Sequence, residues 1–288
     1  MPTRIIGAHD QELRHILGDK GAGPAAYVAG GLPVTTAVTT GSFPKGTENL
    51  YLEVHNLSTA TTLQYTLNPW LTVLRTTDGG ATFTDYSEEA QGDSISSVVV
   101  LDSQDTVANG DALFVGSHLP FRGVAVDVSA ANATGSRTLT VSYWNPTTKA
   151  WVDSSDTDGT SSSTSLDQDG DVTWTIAAAW GQDNLWDMFT AANEPFKSTY
   201  VKPNAANVHV QDLYWTRWEW NGALDSEVEL ASMLALNRSV AYPMLTAGYR
   251  ERITFRRGFG AFGAIEYKTD AGTADLIAVV GSGDNNFG

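Results

Sequence analysis

The sequence predicts an all-β protein: antiparallel β-sandwich or jelly-roll modules with an extended N-terminal arm and a few short helices. Three observations carry this. Short runs of alternating apolar and polar residues recur along the chain, separated by Gly, Pro, Asn and Asp. Charged residues make up only 17% of the 288 positions, against roughly 25% in an ordinary soluble domain, and Thr, Ser, Gly, Ala and Val fill the gap. Eight of the nine tryptophans fall between Tyr143 and Trp220, where bulky rings can hold two layers in register.

Residues 1–40 differ in character from the rest of the chain. Asp10 to Lys20 predicts about three helical turns, with Leu13, Ile16 and Leu17 on one side and Gly18 and Gly21 ending it. Gly21 to Gly31 is rich in Gly, Ala and Pro and cannot bury much surface by itself. The segment is either a frayed terminus or an arm that orders against a neighbouring subunit. On the second reading Leu13, Ile16 and Leu17 contact the partner.

Strand signals begin near Thr47. Leu50, Leu52 and Val54 alternate with Tyr51, Glu53 and His55, and Leu63, Tyr65 and Leu67 repeat the pattern. Leu71 to Thr76 is followed by the turn Asp78-Gly79-Gly80, after which Thr82 to Tyr86 returns antiparallel. Ile95 to Leu101, Ala112 to Val115, Gly123 to Val128 and Thr138 to Trp144 are further strands. Trp151 opens the return after Asn145-Pro146, and Asp171 to Ile176 puts Val172, Trp174 and Ile176 on one side.

Trp180 to Asn193 predicts a helix with Leu185, Trp186, Met188 and Phe189 as its apolar side, followed by a Pro/Asn-rich loop over 194–210. Tyr214 to Trp220 sets Tyr214, Thr216, Trp218 and Trp220 against Trp215, Arg217 and Glu219 on the opposite face. Val228, Leu230 and Leu234 mark another strand; Tyr249 to Phe255, Phe262 to Tyr267 and Leu276 to Val280 complete the set. The resulting division is an arm (1–40), a first β module (41–112, completed by 245–280), a Trp-rich module (113–240) and a C-terminal tail (281–288).

The formal net charge is −16 and the isoelectric point about 4.5. Such a surface repels phosphates, so neither nucleic acid nor an anionic membrane is an expected partner. With no cysteine, disulfides, thiolate metal sites and cysteine nucleophiles are excluded. The first residues lack the apolar run of a signal peptide, so classical secretion is not expected.

Candidate sites are few. Asp153, Asp156 and Asp158, with a second cluster at Asp167, Asp169 and Asp171, have spacings that suit either a calcium loop or Asp-capped turns. Trp215, Trp218 and Trp220 are either core residues or a sugar-stacking platform, and Glu219 between two of them is the one carboxylate with such neighbours. Arg252, Arg256 and Arg257 form the only basic cluster, either a solvated face or a docking patch for an acidic partner. His9, His15, His55, His118 and His209 are dispersed and make no ligand pair. Gly258, Gly260 and Gly263 match a dinucleotide spacing, but no helix follows, so they read as bend glycines. The sequence predicts no cofactor and no enzymatic activity.

The runs Gly123-Val-Ala-Val-Asp-Val, Leu139-Thr-Val-Ser-Tyr-Trp144-Asn, Ala150-Trp151, Asp158-Gly-Thr160, Gly170-Asp-Val-Thr-Trp174, Trp180, Tyr214-Trp215-Thr-Arg217 and Ala223-Leu224, taken in order, resemble a β-sandwich module of structural proteins from tailed-phage virions. The resemblance covers roughly residues 110–236 and breaks between Trp180 and Tyr214, where this chain carries a long insertion. It implies a bacteriophage virion component, assembled in the host cytoplasm. The first expectation is capsid decoration or cement: a homo-oligomer, such as the trimer these proteins often form, held to the major capsid protein. The alternative is a tail, neck or fibre component whose sandwich binds carbohydrate.

Overall fold

A computed structural model describes residues 14–15, 32–43, 49–55, 57, 62–91, 97–189, 212–236, 242–244, 250–254 and 262–281. They form two stacked-sheet units, and every strand pairing is antiparallel. The all-β sandwich class is therefore the observed one.

The first sandwich opens with β1 (Arg14–His15), β2 (Leu32–Val34), β3 (Thr39–Ser42), β4 (Asn49–His55) and β5 (Leu63–Pro69). The chain then builds the Trp-rich sandwich from β6 (Thr72–Thr76), β7 (Thr84–Asp85), β8 (Val99–Val100), β9 (Ala112–Ser117), β10 (Gly123–Ala130), β11 (Leu139–Asn145), β12 (Ala150–Asp153), β13 (Thr157–Asp158), β14 (Gly170–Thr173) and β15 (Gln182–Asp183). The short helix α1 (Leu185–Phe189), β16 (Leu213–Trp220) and β17 (Glu229–Leu236) complete it. The chain returns to the first sandwich through β18 (Tyr242–Met244), β19 (Arg250–Thr254), β20 (Phe262–Thr269) and β21 (Ala274–Gly281).

In the first sandwich one sheet runs β1-β21-β4-β19, with β2 also on β21, and the facing sheet runs β18-β5-β20-β3. Their alternating apolar residues, among them Leu50, Leu52, Val54, Leu63, Tyr65, Ile265, Tyr267 and Leu276, close one core. In the second, a sheet ordered β12-β11-β16-β9-β6-β7, with β15 on β16, faces one ordered β13-β14-β10-β17-β8. Val73, Val115, Val141 and Trp218 from the former meet Val124, Val172, Trp174 and Met233 around the latter.

The outer face of the β16 sheet is also apolar. Leu74, Phe114, Trp144 and Trp215 are covered there by Leu185, Met188 and Phe189 of α1. This sheet is thus buried on both sides, which is why tryptophans of opposite parity on β16 are all interior. Pairing with Trp215 across the ladder is Gly116, and it must be glycine: a Cβ there would sit 2.5 Å from Trp215 Cε3.

Three expectations need correction. Arg14 and His15 lie in a strand on Val280 and Val279 rather than in a helix; an isolated helix of this length is marginal in water, whereas the edge of β21 offers ready backbone partners. Leu13, Ile16 and Leu17 lie outside the described residues. The helix expected over 180–193 is helical only at Leu185–Phe189, because Gln182 and Asp183 extend the sheet by pairing with Tyr214 and Leu213; residues 190–193 lie outside the description. Finally, the sequence pattern assigns β6, β7 and β8 to the first module. Their hydrogen bonds and side chains instead place them in the Trp-rich sandwich, so the division falls near residue 70 and not at 112.

The two sandwiches meet where Ala125, Leu234 and Leu236 pack on Ala264. Beside that small apolar contact, Glu266 of β20 accepts from Arg122 at 3.2 Å and from Asn68 at 3.0 Å.

Candidate functional site

Trp174, Trp215, Trp218 and Trp220 do not form a binding platform. Trp174 is 7% exposed, Trp215 0%, Trp218 1% and Trp220 1%, so no ring face of Trp215, Trp218 or Trp220 is open to a sugar. Their indole N–H groups are spent internally. Trp174 donates to the carbonyl of Phe121 at 3.0 Å, Trp215 to that of Asp183 at 3.1 Å, Trp218 to Thr216 Oγ1 at 3.0 Å and Trp220 to Ser165 Oγ at 2.9 Å. The rings meet edge-to-face: Phe121 with Trp174 and Trp180, and Trp174 with Trp218. Such pairs favour a rigid core over a contact surface.

The acidic segment serves the backbone. Asp153 accepts from the amide of Ser155 at 2.7 Å, Asp156 from that of Val141 at 2.9 Å and Asp158 from that of Thr160 at 2.9 Å. Burial pushes the Asp156 carboxyl above the usual range, and the charges of Asp153 and Asp158 add to it. In the second cluster Asp167 gathers the amides of Ser162, Ser163 and Thr164 and both serine hydroxyls, which hold its carboxyl well below the usual range. Asp169 accepts from the amide of Val128 at 2.8 Å. Asp153, Asp158 and Asp167 therefore cap local turns, whereas Asp156 and Asp169 satisfy amides of β11 and β10. Among the described residues no group of three or more His, Asp or Glu side chains is placed to hold a metal ion, so the calcium-loop reading of Asp153, Asp156 and Asp158 has no geometric basis.

Glu219 accepts from the amide of Val107 at 3.0 Å and caps the short 3-10 turn over Val107–Asn109. Arg252 lies in β19, opposite Tyr51 on the outermost strand of its sheet; Arg256 and Arg257 lie outside the described residues. His118 is half-buried with its ring edge on Phe262, and burial lowers its pKa.

Two charged residues that sequence reasoning passed over matter more. Arg75 donates to Gln104 Oε1 at 2.6 Å, to the carbonyl of Val100 at 3.0 Å and to that of Asp102 at 2.5 Å, tying a connecting loop to β6. Asp183 is 8% exposed and accepts from Trp144 Nε1 at 2.9 Å and Lys149 Nζ at 2.8 Å. The only sequence signal for either was a lone charge in or beside an apolar strand. In each case the polar chemistry fixes the architecture. No family model, no curated protein and no solved structure matches this chain.

Proposed function

We propose that this chain is a non-enzymatic structural protein of a phage virion, a capsid decoration or cement protein that stabilises the particle through protein–protein contacts. The sequence resemblance over roughly 110–236 suggests the setting. The observation that carries the structural role is the N-terminal arm: β1 and β2 add to the same edge of β21, at Val280–Val279 and Leu276–Ala274. The gap between those two sites along β21 is only about 10 Å, whereas residues 16–31 can reach about 50 Å. The same strand addition can therefore be made on a neighbouring copy, where backbone hydrogen bonds supply affinity. A homo-oligomer joined this way multiplies weak contacts to the shell into avidity. A tail, neck or fibre position is compatible with the same scaffold, but a sugar platform built from Trp215, Trp218 and Trp220 is not, since those rings are interior.

The test is native mass spectrometry of the full chain and of a variant lacking residues 1–31, together with cryo-electron microscopy of the assembly that co-purifies with it. An oligomer on a capsid shell that dissociates on arm deletion is expected. A monomer with and without the arm, found on no particle, would overturn the proposal.

A further inference from the structure

We infer that the joint between the two sandwiches is a hydration site, where ordered water bridges Gln91 to neighbouring polar groups. Gln91 is fully buried, yet neither its amide oxygen nor its amide nitrogen has a hydrogen-bond partner among the described residues. It sits on the 3-10 turn Glu89–Gln91, which packs on β17 of the Trp-rich sandwich. Its amide lies over Gly263 of the first sandwich: a Cβ there would be 2.5 Å from Oε1 and 3.1 Å from Nε2. Gly263 lies in the irregularity of β20, where the register against β5 shifts between Phe262 and Ala264. The missing side chain lets the Gln91 amide lie directly on the β20 backbone.

Two more orphaned atoms lie on the faces that meet there. Asn68, cross-strand from Ala264, spends its amide N–H on Glu266 but its Oδ1 has no partner among the described residues. Ser232 shares the outer face of β17 with Leu234 and Leu236, which pack on Ala264, and its buried Oγ is likewise unpartnered. A buried amide with both atoms unmet is strongly unfavourable in a dry contact. A water molecule offers two donors and two acceptors, so one beside Gln91 can serve both its amide oxygen and its amide nitrogen. Alternating polar and apolar contacts around Arg122, Glu266, Leu234 and Ala264 then make the docking specific as well as favourable.

The test is a high-resolution crystal structure of the full chain with the thermal unfolding of Gln91→Met, which removes the amide at similar volume. The expected result is water density within hydrogen-bond distance of the Gln91 amide and a melting temperature lowered by about 2–4 °C. The inference is overturned if the amide meets no density, if a protein group occupies that place, or if Gln91→Met melts at the same or a higher temperature, as a dry joint requires.

Discussion

Trp144 Nε1 donates to Asp183 Oδ2 at 2.9 Å, and both side chains are nearly or fully buried. The same oxygen takes Lys149 Nζ, and the Asp183 carbonyl takes the indole N–H of Trp215. One residue therefore anchors the start of the long 181–213 insertion to two tryptophans of the sheet beneath it. Asp183→Ala leaves the Trp144 N–H buried without an acceptor, so it should cost about 2 kcal/mol. Asp183→Asn keeps an acceptor for the indole and should cost less: it loses the attraction to Lys149, which is half-exposed and contributes little, and the bond from the Asn184 amide to the second carboxylate oxygen. Urea unfolding of the two variants checks this; equal losses would mean that the indole bond is unimportant.

Gly116 allows Trp215 to lie flat against its strand. Gly116→Ala would drive a methyl into the ring at 2.5 Å, in a layer closed above by α1, and should destabilise by about 1–3 kcal/mol. Gly135→Ala is the matched control, since nothing lies within 4 Å of its Cβ position, and should stay within about 0.5 kcal/mol of the parent. Thermal melts of both proteins decide the matter, and similar shifts would contradict the layered arrangement.

The faces of β16 were readable because alternation is a local property. Trp218 and Trp220 share a parity, Trp215 has the other, and the structure keeps that division. That both faces are interior was not readable, because it depends on α1 and Trp144 arriving from elsewhere in the chain. Arg75 and Asp183 were missed for the same reason: their partners are 25 to 39 residues away. The boundary near residue 70 left no trace in composition, since both sandwiches are built from the same strand-forming residues. The two-residue β1 lies in a segment whose Leu13, Ile16 and Leu17 have helical spacing, and at Arg14 and His15 tertiary pairing on β21 overrides it.

Asp156 and Asp167 should respond to pH in opposite senses. Burial raises the folded pKa of Asp156 above its ordinary 3.8. The native state then holds the proton more tightly, so ionisation costs stability above the folded pKa and nothing below 3.8. Hydrogen bonds depress the folded pKa of Asp167, so its stabilisation is present above the unfolded value and is lost as pH falls through the folded one. Asp156→Asn should therefore be at least as stable as the parent at pH 7, with any advantage vanishing below pH 3.8. Asp167→Asn should be less stable at pH 7, with the gap closing only in stronger acid. Melting temperatures of the three proteins across pH 2–8 would show both trends or refute them.

Calcium should leave the protein unchanged. A site in the folded state held at 100 times its Kd would add about 2.7 kcal/mol. Asp153, Asp156 and Asp158 each cap a different backbone amide instead of converging. Melts in millimolar calcium and in chelator should superimpose, and a clear rise with calcium would place an ion among these carboxylates.

Arg75 supplies the last prediction. Its guanidinium reaches three oxygens of the 100–104 loop at once, a geometry that a lysine ammonium on a flexible stem cannot reproduce. Gln104 is fully buried, and losing the guanidinium leaves its Oε1 without that donor. Arg75→Lys should therefore cost about 2 kcal/mol. The loop also holds the 224–225 segment, because Leu224 N–H donates to the Gln104 carbonyl and Ser103 N–H to that of Asp225. Loosening it should release those amides before the sandwich unfolds, so hydrogen exchange at Ser103 and Leu224 should accelerate while exchange in the ladder of β10 and β17 stays slow. Uniform acceleration across both regions would mean that Arg75 supports the whole sandwich and not the loop in particular.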